Sequence, residues 1–193
     1  MRALVLVCSL KRSPAPSSSE LLGREILAAL ADHDVDGEVI RVVDHDVKYG
    51  VTADEGSGDA WPSIRTKLLG CDILVIATPI WMGQPASVCK VVLERLDAEI
   101  RESTMYGKVA VVGVVGNEDG AHHVTAEVYQ ALNDVGFTVP AAGGTYWVGE
   151  AMGKVDYADA GPKPDTTGTA TKTLAANAAH LAKLLNDSPY PSS

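Results

Sequence analysis

Ala3-Leu4-Val5-Leu6-Val7-Cys8 runs straight into Ser9-Leu10-Lys11-Arg12-Ser13-Pro14-Ala15-Pro16 and then Ser17-Ser18-Ser19-Glu20. A short apolar run rich in Val and ended by Ser and Pro reads as a strand buried on both faces of a parallel sheet. Leu22, Ile26, Ala29 and Leu30 then fall on one helical face, and Ser17 stands three residues before Glu20, the spacing of a capping box. A strand therefore feeds a hydroxyl-rich loop and a helix N-terminus, whose unpaired N–H groups and positive dipole end favour an anion. The glycines of a Walker A loop and of G-x-G-x-x-G are missing, so a phosphate monoester fits better than a triphosphate with its metal. An ordinary solvated turn has the same composition, and the rest of the chain has to choose between the two.

Working outward, Glu38 to Val43 reads as a second strand, and Pro62 opens a short helix that runs to Leu69. Ile73 to Ala77 is a third, buried strand. A long helix follows with Val88, Val91, Val92, Leu96 and Ile100 on one face. Val109 to Val115 is a fourth strand, and the helix after it carries Val124, Val128, Ala131, Leu132 and Val135, with Gly136 as its cap. A short fifth strand lies within Phe137 to Trp147. Residues 149–165 read as irregular, and a last helix turns Leu174, Ala178, Leu181 and Leu185 inward. Five strands alternating with five helices, without repeat or boundary, predict an α/β fold with one doubly wound, five-stranded parallel sheet. The flavodoxin-like order 2-1-3-4-5 is the natural one for five strands, with ligands beyond the carboxyl ends of strands 1, 3 and 4. Residues 1–187 form a single ligand-binding domain in this reading, and 188–193 a flexible tail.

The 193 residues carry 46% apolar and 21% charged side chains, the balance of an ordinary globular chain. A formal net charge of −9 argues against nucleic acid and anionic membrane surfaces as partners, and none is expected. Three cysteines, Cys8, Cys71 and Cys89, without a C-x-x-C pair predict neither a disulfide framework nor a structural zinc site. The N-terminal apolar run is cut short by Lys11 and Arg12 and lacks a cleavage site, and no stretch reaches the roughly 18 apolar residues of a spanning helix. These features predict a cytoplasmic protein.

The three loops at the predicted strand ends, 9–19, 78–85 and 116–121, have complementary chemistry. The first offers hydroxyls and amides. The second places Trp81 among Pro79, Met82 and Gly83, where stacking and close backbone approach suit a planar ring. The third offers the N–H groups of Gly116 and Gly120 to ring carbonyls and ends in His122-His123. A phosphate at one end and a flat polar ring at the other describe FMN.

The stretch Ala77-Thr78-Pro79-Ile80-Trp81-Met82-Gly83-Gln84-Pro85-Ala86-Ser87, with Lys90 and Leu96-Asp97, resembles a signature of flavodoxin-fold NAD(P)H-dependent FMN reductases and quinone reductases. The resemblance extends from Leu4 to about Trp147. It implies that Ser9, Ser17, Ser18 and Ser19, with Lys11 or Arg12, hold the phosphate. It also implies that Pro79, Ile80, Trp81, Met82 and Gly83 pass the ring, and that Asn117, Glu118, Asp119 and Gly120 form the third flavin loop. Cys8 stands where the family often has Gly, and the third loop is more acidic than the family's glycine-rich versions. A homodimer or homotetramer with the flavin near an interface is implied too, with Trp81 and Trp147 as contributors.

The function this predicts is transfer of electrons from NAD(P)H through FMN to a small acceptor such as a quinone or free flavin, the cofactor performing the chemistry. His123, with His122, and Tyr146, with Trp147, are candidates for the substrate face, and no acid or base is singled out. Two other classes stay open: a flavodoxin-like carrier serving a protein partner, and a flavin-free scaffold module. A metal site at Glu118, Asp119, His122 and His123 is the weaker variant, since adjacent histidines rarely face one ion, and no metal is expected.

Overall fold

Every residue of strand β1 (Arg2–Val7) after Arg2 is buried, because the strand has a neighbour on each side and a helical layer over each face. In the computed structural model, which describes residues 1–162 and 165–191, β1 pairs in parallel with β2 (Asp36–Arg41) and with β3 (Ile73–Trp81). Val5 lies opposite Val39 on one side and Val75 on the other. A two-residue strand β4 (Gln84–Pro85) folds back antiparallel on the end of β3, and β5 (Val109–Gly116) and β6 (Gly144–Val148) complete the sheet. The order is β2-β1-β3-β5-β6, which is the flavodoxin-like 2-1-3-4-5 when the parallel strands alone are counted.

Alternate residues of the strands feed two apolar layers. Val5, Val7, Val75 and Val111 meet helices α1 (Ser18–Ala31) and α6 (Asp165–Asp187). Leu4, Leu6, Leu74, Ile76 and Val112 meet α2 (Trp61–Leu69), α3 (Ser87–Arg95) and α5 (Ala121–Val135). Helix α1 sits close on the sheet because residue 23 is glycine: a Cβ there would stand 2.9 Å from Val5 Cγ1. That close approach sets the start of α1 beside the carboxyl end of β1.

Two local expectations are corrected. The helix expected to reach Ile100 ends at Arg95, and a short α4 (Ala98–Glu102) follows, with Ile100 exposed and Arg95 and Glu99 buried instead. Both charges are compensated. Arg95 pairs with the equally buried Asp59 at 2.8 Å, donates to the Lys48 and Thr52 carbonyls and covers the Trp61 ring, while Glu99 is met by Arg65 and Thr104. Burial alone would raise the Asp59 carboxyl, but Arg95 and the N–H groups of Glu55, Trp61 and Lys48 hold it far below the ordinary range. The second correction concerns the capping box, which is only half made. Ser17 Oγ accepts from Glu20 N at 3.2 Å, whereas the Glu20 carboxylate turns to Arg24 and Arg41. In the expected tail Tyr190 stands edge-on to Tyr106, its hydroxyl 3.0 Å from Thr138 Oγ1; Ser192 and Ser193 lie outside the described residues.

Candidate active site

The carboxyl ends of β1, β3 and β5 open into one cavity of about 400 Å³. Its wall takes Ser9, Lys11, Ser17, Ser18 and Ser19 from the loop after β1, and Pro79, Ile80 and Trp81 from the end of β3. Asn117 and Glu118 come from the loop after β5, and Trp147 from β6. The three loops singled out in the sequence thus meet, as the strand order requires.

At the β1 end the chain offers donors. Ser9 Oγ accepts from Lys11 N at 3.1 Å, Ser17 Oγ caps α1, and Ser18 Oγ accepts from Ala158 N at 3.2 Å. Each of these oxygens is engaged as an acceptor, so each hydroxyl proton is free to point elsewhere. Arg41 fastens the loop from behind: its Nη1 donates to the Ala15 and Lys11 carbonyls, and its Nε and Nη2 to Glu20. Burial pushes the Glu20 carboxyl up, but the hydrogen bonds from Arg41 and Arg24 outweigh it and the group is held below the ordinary carboxylate range.

The other end is apolar and aromatic. Trp81 is 50% exposed at the rim, and Trp147 lies against Tyr157 with ring centroids 5.4 Å apart. Tyr157 belongs to a segment absent from the expected site. Residues 149–162 fold back along the cavity, adding Met152, Gly153, Asp156 and Tyr157 to its wall. This strap is tied down by Gly149 N to Gly116 O, Met152 N to Asn117 O, Asn117 Nδ2 to Gly153 O and Asp156 Oδ1, and Tyr157 Oη to Glu25. Burial, and then Glu25, push the Tyr157 phenol far up, which keeps it a neutral hydrogen-bond donor. Leu10 and Val115 also line the wall, although the sequence reading gave neither a role in the site.

Six expected site residues stand off the wall. Met82 and Gly83 have φ of 52° and 72°, the left-handed pair of a tight hairpin turn, and their N–H groups donate to the Glu118 carboxylate at 3.0 Å each. Glycine at 83 therefore serves this turn, since a Cβ there would meet nothing closer than Asp119 O at 4.0 Å. Asp119 accepts from Gly120 N, and Gly120 packs on the Gly83 backbone. His123 Nε2 is 2.9 Å from the Gln84 amide and 3.4 Å from Glu127. Tyr146 faces away from the cavity because neighbours alternate along β6: with Trp147 turned toward Tyr157, Tyr146 stands edge-on to His122. Among the described residues no group of three or more side chains is set to hold a metal, and no helix is long and apolar enough to cross a membrane.

The wall fits FMN in its donor set. A helix N-terminus with serine hydroxyls suits a phosphate dianion, aromatic side chains suit a planar ring, and the buried Asn117 Oδ1 lacks a hydrogen-bond partner among the described residues.

Comparison with known proteins agrees. The family described as NADPH-dependent FMN reductase matches residues 1–153. Over 98% of its length the chain is 34% identical to the 8-demethyl-8-aminoriboflavin-5'-phosphate synthase of Streptomyces davaonensis, and spans 80% of that protein. The crystal structure of RosB with the bound intermediate 8-demethyl-8-formylriboflavin-5'-phosphate is 32% identical with a TM-score of 0.88, over 98% of this chain and 82% of that one. A protein named divalent metal cation transporter MntH of Mycobacterium bovis is 34% identical over 96% of this chain, which spans only 29% of that protein.

Proposed function

The chain belongs to the NADPH-dependent FMN reductase family, and on that premise we propose that it is an FMN-dependent oxidoreductase carrying electrons from NADH or NADPH to a small acceptor such as a quinone or free flavin. The observation that carries this reading is a cavity with serine hydroxyls and a helix N-terminus at one end and Trp81 and Trp147 at the other. Ser17, Ser18 and Ser19 hold the phosphate, with Ser9 and Lys11 beside them. Pro79, Ile80 and Trp81 orient the ring, and Asn117 holds the strap beside it through Met152 N and Gly153 O. Bound FMN supplies two-electron transfer chemistry. The protein's own part is to fix the ring and keep one edge reachable at the half-exposed Trp81. Met82, Gly83, Asp119 and Gly120 act one step back by shaping the two loops, with Glu118 clamping the turn. His123 and Tyr146 lie at the outer edge, where an acceptor would pass.

The same reading takes residues 1–187 as one FMN-binding unit that works in the cytoplasm as a homodimer or homotetramer. Its support is that Cys8, Cys71 and Cys89 are all buried, free thiols, and that Trp81, Met82 and Met152 leave apolar surface at the rim. The experiment is direct. Protein loaded with FMN and passed through gel filtration should retain a flavin spectrum, and anaerobic NADH or NADPH alone should bleach it. Bleaching that needs a separate reductase would identify a carrier, and refusal of FMN would overturn the reading.

A second reading takes the flavin as substrate, and the 34% identity to a flavin-modifying synthase over nearly the whole chain favours it. Mass spectrometry of flavin released after turnover separates the two: a reductase returns FMN of unchanged mass.

A further inference from the structure

The strap runs the length of the cavity. Near its start Met152 N and Gly153 O are bound to Asn117, at the ring end; near its finish Ala158 N donates to Ser18 Oγ, at the phosphate end. Asp156 lies between these anchors and on the cavity wall. Its Oδ1 accepts from Asn117 Nδ2 at 3.2 Å, and its Oδ2 is 3.8 Å from Lys11 Nζ, so one carboxylate touches a residue from each end. It also lies beyond residues 1–153, the part matched by the family.

A carboxylate on this wall needs a ligand group that can use it. It accepts and cannot donate, and its two oxygens have about four lone-pair sites, of which Asn117 and Lys11 occupy about half. A phosphate dianion would be repelled, and the face of an aromatic ring offers no donor. The stretch of an FMN molecule that joins phosphate to ring is a chain of neutral hydroxyls, and hydroxyls donate well to a carboxylate. Resting on the FMN reading above, we propose that Asp156 reads the ribityl chain, its carboxylate accepting hydrogen bonds from the ribityl hydroxyls. The strap thereby makes the site selective for a flavin carrying a polyol over one that lacks it. Lys11 and Asn117 hold the carboxylate in place from either side. With both side chains about half exposed, the Lys11 pair itself adds little to stability, so its removal leaves the fold standing.

The test is a titration of three ligands into the wild type, Asp156→Ala and Asp156→Asn, followed by flavin fluorescence. FMN carries ribityl and phosphate, riboflavin carries ribityl alone, and lumiflavin has a methyl group in place of both. Riboflavin affinity should fall about tenfold or more in Asp156→Ala, the loss expected for a hydrogen bond to a charged group. FMN should fall by less, because the same change removes a repulsion on its phosphate, and lumiflavin should not change. Asp156→Asn, which keeps one carbonyl acceptor, should show a smaller riboflavin loss. Tighter FMN with riboflavin unchanged would overturn the proposal and leave Asp156 as a competitor for Lys11. Equal losses for all three ligands would reduce it to a prop for the strap, and no change for any would remove it from the site. Failure of the FMN reading itself looks different, because wild type would then bind neither FMN nor riboflavin.

Discussion

Replacing Arg41 with Met removes the side chain that fastens the serine loop to the sheet. Arg41 is nearly buried and donates to the Ala15 carbonyl at 2.8 Å, the Lys11 carbonyl at 3.2 Å and the Glu20 carboxylate. Breaking a fully buried ion pair costs about 3–5 kcal/mol, and an exposed pair contributes about 0–1 kcal/mol. Glu20 keeps Arg24 and some solvent, which puts the expected loss near 2 kcal/mol, between those limits. For a chain of this size that is a fall in Tm of roughly 4–8 °C. Denaturation in urea should show a lower midpoint at unchanged slope. The dependence on pH has a definite sign. Because the folded Glu20 pKa is depressed, its contribution is complete above the ordinary carboxylate pKa and is lost as pH falls through the folded value. The gap between wild type and variant should accordingly be full at pH 7 and close in acid. Freed of its two carbonyl contacts, the loop has to be ordered when ligand binds, and FMN affinity should drop by about tenfold. An unchanged midpoint at pH 7 would refute the energetic reasoning. Unchanged FMN affinity in a destabilised variant would show that Ser13, which bonds Asp44 through N at 2.8 Å and Oγ at 2.6 Å, holds the loop without Arg41.

Two further outcomes follow from the same geometry. Ser17→Ala and Ser19→Ala should each lower FMN affinity about tenfold to hundredfold and leave riboflavin nearly unchanged, because only FMN brings the dianion; equal losses for both ligands would remove the phosphate from this loop, whereas Ser18→Ala, which also releases the strap at Ala158 N, should weaken riboflavin as well. Trp81→Ala should cost far less stability than the roughly 3–5 kcal/mol of a core Trp, since half of it is exposed, yet change FMN affinity or turnover. Trp61→Ala, with its ring wholly buried beneath Arg95, is the comparison that should show the full core cost in thermal melts, and the reverse ranking would interchange the two roles.

What could be read ahead of the structure was whatever repeats with a period. β1, β3 and β5 are unbroken apolar runs bounded by turn residues, and the cavity loops follow them at fixed positions, so the fold and most of the wall were legible. Arg95 and Glu99 were not. A charged residue on a helix reads as solvated until its partners, here Asp59 and Arg65, arrive from distant stretches of chain. The β3–β4 hairpin was hidden for a related reason, because the Met82-Gly83 turn is capped by the carboxylate of Glu118, 35 residues further on. The strap has no periodicity to find. The one signal available was an aromatic residue, Tyr157, standing in a run of Gly, Asp and Ala, where burial under Trp147 explains its presence.

The strap also has a consequence for the birth of the molecule. The first wall residue, Ser9, leaves the ribosome well before the last, Tyr157; at about 5–20 residues per second the interval is about 7–30 s. During that time β1, β3 and β5 can pair, and the serine loop can be fastened as soon as Arg41 has emerged. The trough between them still lacks one side. Its last wall is supplied by the segment that reaches back across almost the whole chain to Ser18 and Glu25. The apolar rim at Trp81 is therefore most open to chance encounters in the nascent chain, and the wall that carries Asp156 is the last side of the cavity to be made.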